Sequence, residues 1–260
     1  MKRERLQRGG YGFTLLELLT VLAVVVLLVS ILLPSLRAAR QRAKKTVCLS
    51  NLRQVGLAIR AYAYDYNDTI PFGPEGLPIM GHNFYTATGN VTSLLSLLDG
   101  RPVGLGLLLN GYLSEQPKVL FCPGADQPSE ADRQLANVGR RQAQSDYYYR
   151  HASVALLSGK PDTFHIRLSD LGKNRNGRRI RALVMDVQFL VHPSLEAFGV
   201  FTRTSHLRKT VNLLYADGAV RSADNSDDRF TVDVGARPYD ALEEILKRFE
   251  LADEFDLSGD

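Results

Sequence analysis

Length, composition and charge exclude several classes of protein before any motif is considered. The chain has 260 residues, of which 45% are hydrophobic and 23% are charged, and these proportions are typical of a globular protein rather than a disordered one. Residues 1–12 hold four basic side chains and one acidic side chain, and so account for +3 of the net charge of +4. The rest of the chain is close to neutral, so its charge does not indicate a nucleic-acid-binding protein.

An apolar run of 21 residues extends from Phe13 to Leu33, and about 20 helical residues span the hydrocarbon core of a bilayer. The run is too long for a cleaved secretory signal, and the sequence after it lacks a small-x-small cleavage site. A simple signal anchor would leave Glu17 unexplained, because a charge within a membrane helix costs roughly 2.5–3.5 kcal/mol on insertion scales. We therefore predict a membrane-spanning helix over residues 13–34, in which Glu17 has a functional role.

The apolar pattern continues after Pro34 at positions three and four apart, which is the spacing of one helix face. Pro34 is therefore expected to kink the helix rather than to end it. We predict one helix from Phe13 to about Tyr66, with residues 35–66 packing one face on the folded domain. The alternative is that the second half is a separate surface helix.

The next part of the chain, residues 67–235, predicts short helices and strands. Residues 67–90 are rich in Gly, Pro, Asn and Thr and are expected to form a loop. Helical patterns cover three segments, 91–98, 105–113 and 129–144. The last of these begins with a Ser-x-x-Asp capping pattern. Residues 236–260 form a C-terminal segment, in which residues 239–255 predict a charged amphipathic helix.

Strands are predicted over residues 118–122 and 178–191, and the clearest hairpin covers residues 210–222. In this hairpin, β-favouring residues flank Asp217-Gly218, a dipeptide that suits a two-residue type I′ turn. Together the patterns predict an α+β fold. A long N-terminal helix, membrane-spanning in its first half, packs on a small antiparallel β-sheet domain.

The two cysteines, Cys48 and Cys122, have a separation that fits no zinc-binding signature. They form one disulfide if the domain lies outside the cytoplasm, or they remain two buried thiols. Both interpretations stay open at this point.

An acidic segment over residues 216–230 contains four side chains considered as calcium ligands, namely Asp224, Asn225, Asp227 and Asp228. Calcium is bound by several oxygen atoms in a flexible loop. The spacing is not that of an EF-hand, and a solvated acidic loop is the alternative. No other cofactor is expected.

The sequence shows no arrangement of residues that is typical of an enzyme. None of the five histidines forms a metal-binding pair, and neither a G-x-S-x-G elbow nor a phosphate-binding loop is present. His206 and Asp217 are a possible base and orienting group, but a loop histidine bonded to a neighbouring turn is the simpler interpretation. Asp186 follows an apolar run and is expected to be a structural cap or an exposed residue.

The segment "GFTLLE", residues 12–17, resembles the processing site of type IV prepilins and type II secretion pseudopilins. The resemblance implies cleavage between Gly12 and Phe13, methylation of the new amine of Phe13, and removal of the basic leader over residues 1–12. Glu17 is then the fifth residue of the mature chain, where it pairs with the terminal amine during assembly. Pro34 lies at mature position 22, where such proteins often have a proline.

Later segments resemble a pseudopilin-like group of planctomycete-type bacteria. The matching segments are residues 47–73, "FCPGADQ" (121–127) and the Tyr-rich "SDYYY" (145–149). Proteins of that group carry a histidine, a nine-residue spacer and Asp-Gly near the end. Here ten residues separate His206 from Asp217-Gly218, so the role of His206 is not assigned.

These resemblances imply a structural subunit of a type II secretion-like or type IV pilus-like filament. Its expected partners are a prepilin peptidase and methyltransferase, other pseudopilins or pilins, an inner-membrane assembly platform and membrane lipid. The chain is expected to cross a bacterial inner membrane once, with a cytoplasmic N-terminus and a periplasmic domain. The alternative is a membrane-tethered domain that binds a ligand such as a polysaccharide through its Tyr-rich segments.

Overall fold

The computed structural model describes residues 14–73, 91–127, 130–151, 167–198, 200–235 and 241–255. The predicted leader, Phe13 and most of the predicted 67–90 loop lie outside these residues. The chain divides into two compact units, residues 1–43 and 44–260.

Helix α1 extends without interruption over Leu15–Asp65, passing through Pro34. The predicted single long helix is therefore confirmed. Its apolar N-terminal part, which lies in the first unit, leaves its side chains exposed. Among the described residues, α1 is the one helix that is long and apolar enough to cross a membrane.

In the second unit, α1 buries one face. Cys48, Leu52, Val55 and Ile59 are completely buried and lie three or four residues apart, which places them on one side of the helix. They join a hydrophobic core with side chains of the β-sheet. Polar contacts at the edges fix the same packing, since Asn51 Nδ2 donates to the carbonyl of Phe121 at 3.1 Å.

The described residues contain eight short strands: β1 (Leu94–Ser96), β2 (Ala143–Gln144), β3 (Tyr147–Tyr149), β4 (Ala182–Asp186), β5 (Phe189–Leu190), β6 (Thr210–Tyr215), β7 (Val220–Asp224) and β8 (Val232–Asp233). The central sheet has four antiparallel strands in the order β3-β4-β6-β7. Two smaller pairs flank it, the antiparallel β1-β2 and the parallel β5-β8.

The central sheet is covered on both faces because its strands alternate between two cores. Tyr147 and Tyr149 of β3 lie in the core that contains α1, whereas Tyr148 lies in the other core. In β6, Leu214 faces α1 and Leu213 faces away. This alternation follows from the two-residue period of a strand. The Tyr-rich segment is therefore an edge strand of the central sheet whose three tyrosines are buried.

Helix α3, Ala241–Glu254, covers the second face of the sheet. The predicted amphipathic helix is confirmed, and it belongs to the core rather than to a solvated tail. Its Asp253 is buried and accepts four hydrogen bonds: from Arg150 Nη1 (2.8 Å), Asn174 Nδ2 (3.0 Å), Arg181 N (2.8 Å) and Ala182 N (2.9 Å). These bonds connect the end of α3 to β4 and to the end of β3.

The predicted hairpin is confirmed as β6 and β7, but its turn differs from the predicted one. Gly218 N donates to the carbonyl of Tyr215, and Tyr215 N donates to the carbonyl of Ala219. Gly218 has a φ of 86°, whereas Asp217 does not have a positive φ. These features are those of a three-residue loop with a left-handed glycine, rather than of a type I′ turn.

Four predicted elements were wrong in type or extent. The strand predicted over residues 178–191 is two separate strands, β4 and β5. Residues 117–120 form a 3-10 helix that starts at Pro117 rather than a strand, because the fixed φ of proline suits the first position of a helix. Residues 91–98, predicted as a helix, form a 3-10 turn followed by β1. Helix α2, Ala131–Asn137, is shorter than predicted, because residues 143 and 144 pair with β1.

The remaining helical prediction was correct in position. Residues 105–113 overlap a 3-10 helix over Gly104–Leu109. Its leucines at 105 and 108 are buried in the α1-side core.

Asp253→Ala should destabilise the domain strongly, by about 3–5 kcal/mol, because it leaves the buried guanidinium of Arg150 without its partner. The matched control is Glu254→Ala on the same helix, which removes a solvent-exposed pair with Arg178 and should cost no more than about 1 kcal/mol. Denaturant unfolding in mild detergent, followed by near-ultraviolet circular dichroism of the buried tyrosines, measures both. If both variants lost the same free energy of unfolding, the structural role assigned to the buried bonds of Asp253 would be wrong.

Candidate functional site

The first candidate site is the start of α1. The apolar side chains from Leu15 to Leu36 are 44–83% exposed, which is far more apolar surface than a soluble helix leaves uncovered. Such a surface needs a lipid or protein environment. The two residues of the predicted cleavage site, Gly12 and Phe13, lie outside the described residues.

Thr14 and Glu17 form a capping box at the N-terminus of α1. Glu17 N donates to Thr14 Oγ1 at 3.2 Å, and Glu17 Oε2 accepts from Thr14 N and Thr14 Oγ1, both at 2.8 Å. This reciprocal arrangement satisfies two backbone donors that a helix start leaves unpaired. The box was not predicted, although the Thr-x-x-Glu spacing was a sufficient signal for it.

Pro34 lies inside α1, where its ring removes the backbone donor that would bond to the carbonyl of Ser30. Nearby hydroxyl groups bond back to the helix, since Ser30 Oγ donates to the carbonyl of Leu27 at 2.7 Å. Ser35 Oγ likewise donates to the carbonyl of Leu32 at 2.8 Å. These serine hydroxyl groups thus form their hydrogen bonds within the helix.

The second candidate site lies under the domain surface, where α1 meets the sheet. Cys48 and Cys122 are joined in a disulfide whose Cα atoms are 5.4 Å apart. Both residues are buried. Cys122 N donates to Asp146 Oδ2 at 3.1 Å, and Gly124 N donates to Cys122 Sγ at 3.3 Å. The bond ties the second unit's part of α1 to the segment that follows the 117–120 helix.

His206 reaches the disulfide from a left-handed turn. His206, Leu207 and Arg208 have φ angles of 54°, 55° and 59°, a conformation that costs roughly 1–2 kcal/mol per L-residue. Backbone donors hold the turn in place, since His206 N donates to the carbonyl of Gly124 at 2.8 Å and Leu207 N donates to Asp126 Oδ1 at 2.9 Å. A Cβ added at Gly124 would overlap the imidazole ring, so glycine is required there for the ring to fit.

The imidazole of His206 faces three different groups. Its Nε2 lies 3.3 Å from Cys122 Sγ, 3.0 Å from Asn212 Nδ2 and 3.5 Å from Asp186 Oδ2. Asp186 Oδ2 also accepts from Asn212 N at 3.0 Å and from Asn212 Nδ2 at 2.8 Å. Because Asn212 Nδ2 is a donor, we assign the Nε2 lone pair to the cluster and the ring proton to Nδ1.

Burial favours the neutral forms of both titratable groups in this cluster. It raises the pKa of Asp186 from 3.8 to about 7, even though the bonds from Asn212 oppose the shift. It lowers the pKa of His206 from 6.5 to about 4, a shift that Asp126 opposes and that Lys44 and Lys45 reinforce. Asp186 Oδ1 and Asn212 Oδ1 are buried without a hydrogen-bond partner. Such atoms are rare in protein interiors.

Sequence reasoning paired His206 with the wrong carboxylate. Asp217 Oδ1 instead accepts from Ala219 N at 2.8 Å within the hairpin loop. The carboxylate next to His206 is Asp186, which was expected to be a structural cap or an exposed residue and is completely buried. Alternation along β6 places Asn212 on the same face as Leu214, but it does not show that this face meets His206.

The acidic loop does not gather its four predicted ligands. Asp227 pairs with Arg229 and Asp228 pairs with Arg208. Asn225 Oδ1 accepts from Phe230 N at 2.7 Å, and Asp224 Oδ1 accepts from Ser226 Oγ at 2.8 Å. Within the described ranges, the one cluster of three potential His, Cys or carboxylate ligands is Cys48, Cys122 and His206.

One curated protein shares detectable similarity with the chain. It is 42% identical over 60 residues to the type IV wide pilus major component PilA4 of Thermus thermophilus. Part of the chain is homologous to a pilin. The match covers 23% of this chain and 46% of PilA4, which is less than half of that protein's length. No family model and no solved structure matches the chain.

The similarity agrees with the architecture. The chain has an α+β, pilin-like fold in which a long N-terminal helix with an exposed apolar stretch is followed by antiparallel sheets.

Asp186→Asn and His206→Gln should give opposite pH dependences of stability. The raised pKa of Asp186 stabilises the native state below pH 3.8, and this contribution is lost as the pH rises through about 7. The lowered pKa of His206 gives a contribution that is present above pH 6.5 and is lost as the pH falls through about 4. The two slopes, each up to about 1.4 kcal/mol per pH unit, nearly cancel in the wild type.

We therefore expect the free energy of unfolding to rise from about pH 4 to 6.5 in Asp186→Asn and to fall over that range in His206→Gln. The neighbouring charged groups are the same in all three proteins, namely Asp126, Asp146, Lys44 and Lys45. The difference in the free energy of unfolding between variant and wild type therefore reports on Asp186 and His206. Denaturant unfolding of the oxidised chain in detergent at a series of pH values measures this difference. If this difference changed with pH in the same direction in both variants, the assignment of a neutral Asp186–His206 pair would be wrong.

Proposed function

We propose that this protein is a structural subunit, a pseudopilin or minor pilin, of a type IV pilus-like or type II secretion-like filament. The observation that carries the proposal is the start of α1, where an exposed apolar helix begins with a capping box that includes Glu17. The similarity to PilA4, which is named as a type IV pilus component, supports the same role. Lipid would surround the helix before assembly, and other subunits would surround it afterwards.

Glu17 would have two roles in this proposal. Within one chain, its Oε2 closes the capping box with Thr14. Its Oε1 receives neither of these bonds, and so could accept from the methylated amine of Phe13, in the same subunit or a neighbouring one. An ammonium and a carboxylate in an apolar environment stabilise each other only when they are close. The pair would thereby select one axial register of subunits.

A prepilin peptidase and methyltransferase would produce the mature chain, and an inner-membrane platform would supply the energy of extraction. Lipid tails are as apolar as the helix, so the hydrophobic effect does not drive the anchor out of the bilayer. The folded domain would lie on the periplasmic side. A disulfide between Cys48 and Cys122 is typical of that oxidising compartment.

The alternative, a tethered polysaccharide-binding domain, receives less support from the structure. Tyr147, Tyr148 and Tyr149 are buried and are not available to stack on a sugar. Tyr64 and Tyr66 are exposed on and just after α1. The test between the two classes is whether the protein is recovered in sheared filaments or only as dispersed membrane monomers.

Gly12→Val should block processing, because a branched side chain beside the scissile bond would not fit a site shaped for glycine. The mature wild-type chain should begin at methylated Phe13. Intact-mass measurement of the membrane-extracted protein detects both the uncleaved variant and the mature wild-type chain. Gly10→Val in the same leader is the matched control. Retention of residues 1–12 in the wild type would overturn the processing step.

Glu17→Ala should abolish filaments, whereas Thr14→Ala should largely retain them. Both variants remove the capping box, at a cost of about 0.5–2 kcal/mol of helix stability, but only the first removes the carboxylate. Negative-stain electron microscopy of sheared filaments compares the two variants, with membrane levels measured by immunoblot. If both lose filaments equally, Glu17 acts through capping alone and its pairing with the amine is wrong.

A further inference from the structure

The disulfide and His206 place three soft-metal ligands around one point. Cys48 Sγ, Cys122 Sγ and His206 Nε2 all lie within 4.8 Å of one another. Ligand atoms of one tetrahedral Zn²⁺ are separated by roughly 3.3–3.8 Å, given Zn–S and Zn–N distances of about 2.3 and 2.0 Å. Separating the two sulfurs by small side-chain rotations would bring the three atoms to that spacing.

A carboxylate lies beside the third of these ligands, His206. Asp186 Oδ2 is 3.5 Å from His206 Nε2, and Asp186 Oδ1 is completely buried without a hydrogen-bond partner. A carboxylate in this condition is a costly arrangement in the oxidised protein. A bound cation would satisfy it.

The backbone geometry points in the same direction. Three consecutive L-residues adopt left-handed φ angles to bring the His206 ring to the sulfurs, and strain of this kind is concentrated at functional sites. A disulfide needs no histidine. A metal bound by two thiolates does need further ligands, and imidazole is among the commonest.

We propose that the reduced chain binds one Zn²⁺ through Cys48 Sγ, Cys122 Sγ, His206 Nε2 and the Asp186 carboxylate. Each thiol releases its proton as it binds, and so does the Asp186 carboxyl group where it is protonated. A disulfide-containing oxidant then takes two electrons from the thiolates: Cys48 and Cys122 form their bond, the oxidant leaves as two thiolates and Zn²⁺ is released. The metal would hold α1, the segment around Cys122 and the left-handed turn together until the covalent bond replaces it.

The charges of the site are compatible with this exchange. Two thiolates and one carboxylate carry one negative charge more than Zn²⁺ neutralises. Lys44 and Lys45 precede Cys48 by four and three residues on α1, and so lie on its side of the helix. They supply positive charge beside the site.

The experiment uses the full chain in detergent, reduced with a phosphine that leaves no competing thiol, and titrated with Zn²⁺ alone. Metal content after gel filtration should be one Zn²⁺ per reduced chain and none per oxidised chain. Co²⁺ in place of Zn²⁺ should give the absorption bands of a tetrahedral site with thiolate ligands. Adding an oxidised dithiol should release the metal in step with loss of free thiol.

Variants identify the ligands. His206→Gln should weaken Zn²⁺ binding by roughly 10- to 100-fold or more, and Asp186→Asn should weaken it less. His192→Gln is the matched control, because His192 is exposed and bonded to Ser194, and its affinity should equal that of the wild type. Cys48→Ser combined with Cys122→Ser should abolish binding.

Two results would overturn the proposal. One is equal Zn²⁺ affinity of His206→Gln and His192→Gln, which would show that the thiols bind metal without the imidazole. The other is a reduced wild-type chain that takes up no Zn²⁺. If reduction unfolds the domain, Zn²⁺ must restore the near-ultraviolet signal of the buried tyrosines in wild type and in His192→Gln but not in His206→Gln, and failure to do so counts against the site.

Discussion

The burial of one face of α1 against the central sheet is the interaction on which the rest of the domain depends. Leu52, Val55 and Ile59 are completely buried, and each stabilises the fold by about 1.5–3 kcal/mol relative to exposure. The same face carries Cys48, so the covalent bond to Cys122 fixes the helix along its own axis as well as against the sheet. Closing a loop of 74 residues contributes about 4.5 kcal/mol in the chain-entropy model.

If α1 alone covered the central sheet, the apolar side chains on its other face would be exposed. Helix α3, near the C-terminus, packs on that second face and buries them. The buried carboxylate of Asp253 accepts bonds from two backbone amides at the start of β4 and from Arg150 after β3. The domain is thus closed by its first and last described helices, which cover opposite faces of strands that lie between them in sequence. The apolar first half of α1 belongs to the other unit, and its side chains are exposed.

The environment of His206 shows how burial alters chemistry that the residue types alone suggest. An aspartate and a histidine 3.5 Å apart would form an ion pair at a surface. In the interior, the loss of solvation raises the pKa of Asp186 and lowers that of His206, so the neutral forms are favoured. The uncharged imidazole then presents a lone pair towards the sulfurs, which is the form that binds a metal.

The sequence by itself determined the features that depend on local pattern. The long helix through Pro34, the Asp-Gly hairpin and the amphipathic helix near the C-terminus follow from hydrophobic periods and turn residues, which act over a few neighbours. The N-terminal resemblance likewise depends on a short contiguous motif. The segment at 118–122 was predicted wrongly because an apolar run with a preceding proline suits either a strand or a helical turn, and its neighbours decide between them.

Only the tertiary structure decided which distant residues meet. Asp186, Asn212 and His206 are separated by up to 26 positions, and the pairing of β4 with β6 brings the first two together. The left-handed turn then aims the imidazole at a disulfide whose cysteines come from two other segments. A single sequence carries no signal for this convergence, because it arises from strand register and helix packing over the whole domain rather than from the propensity of any one segment.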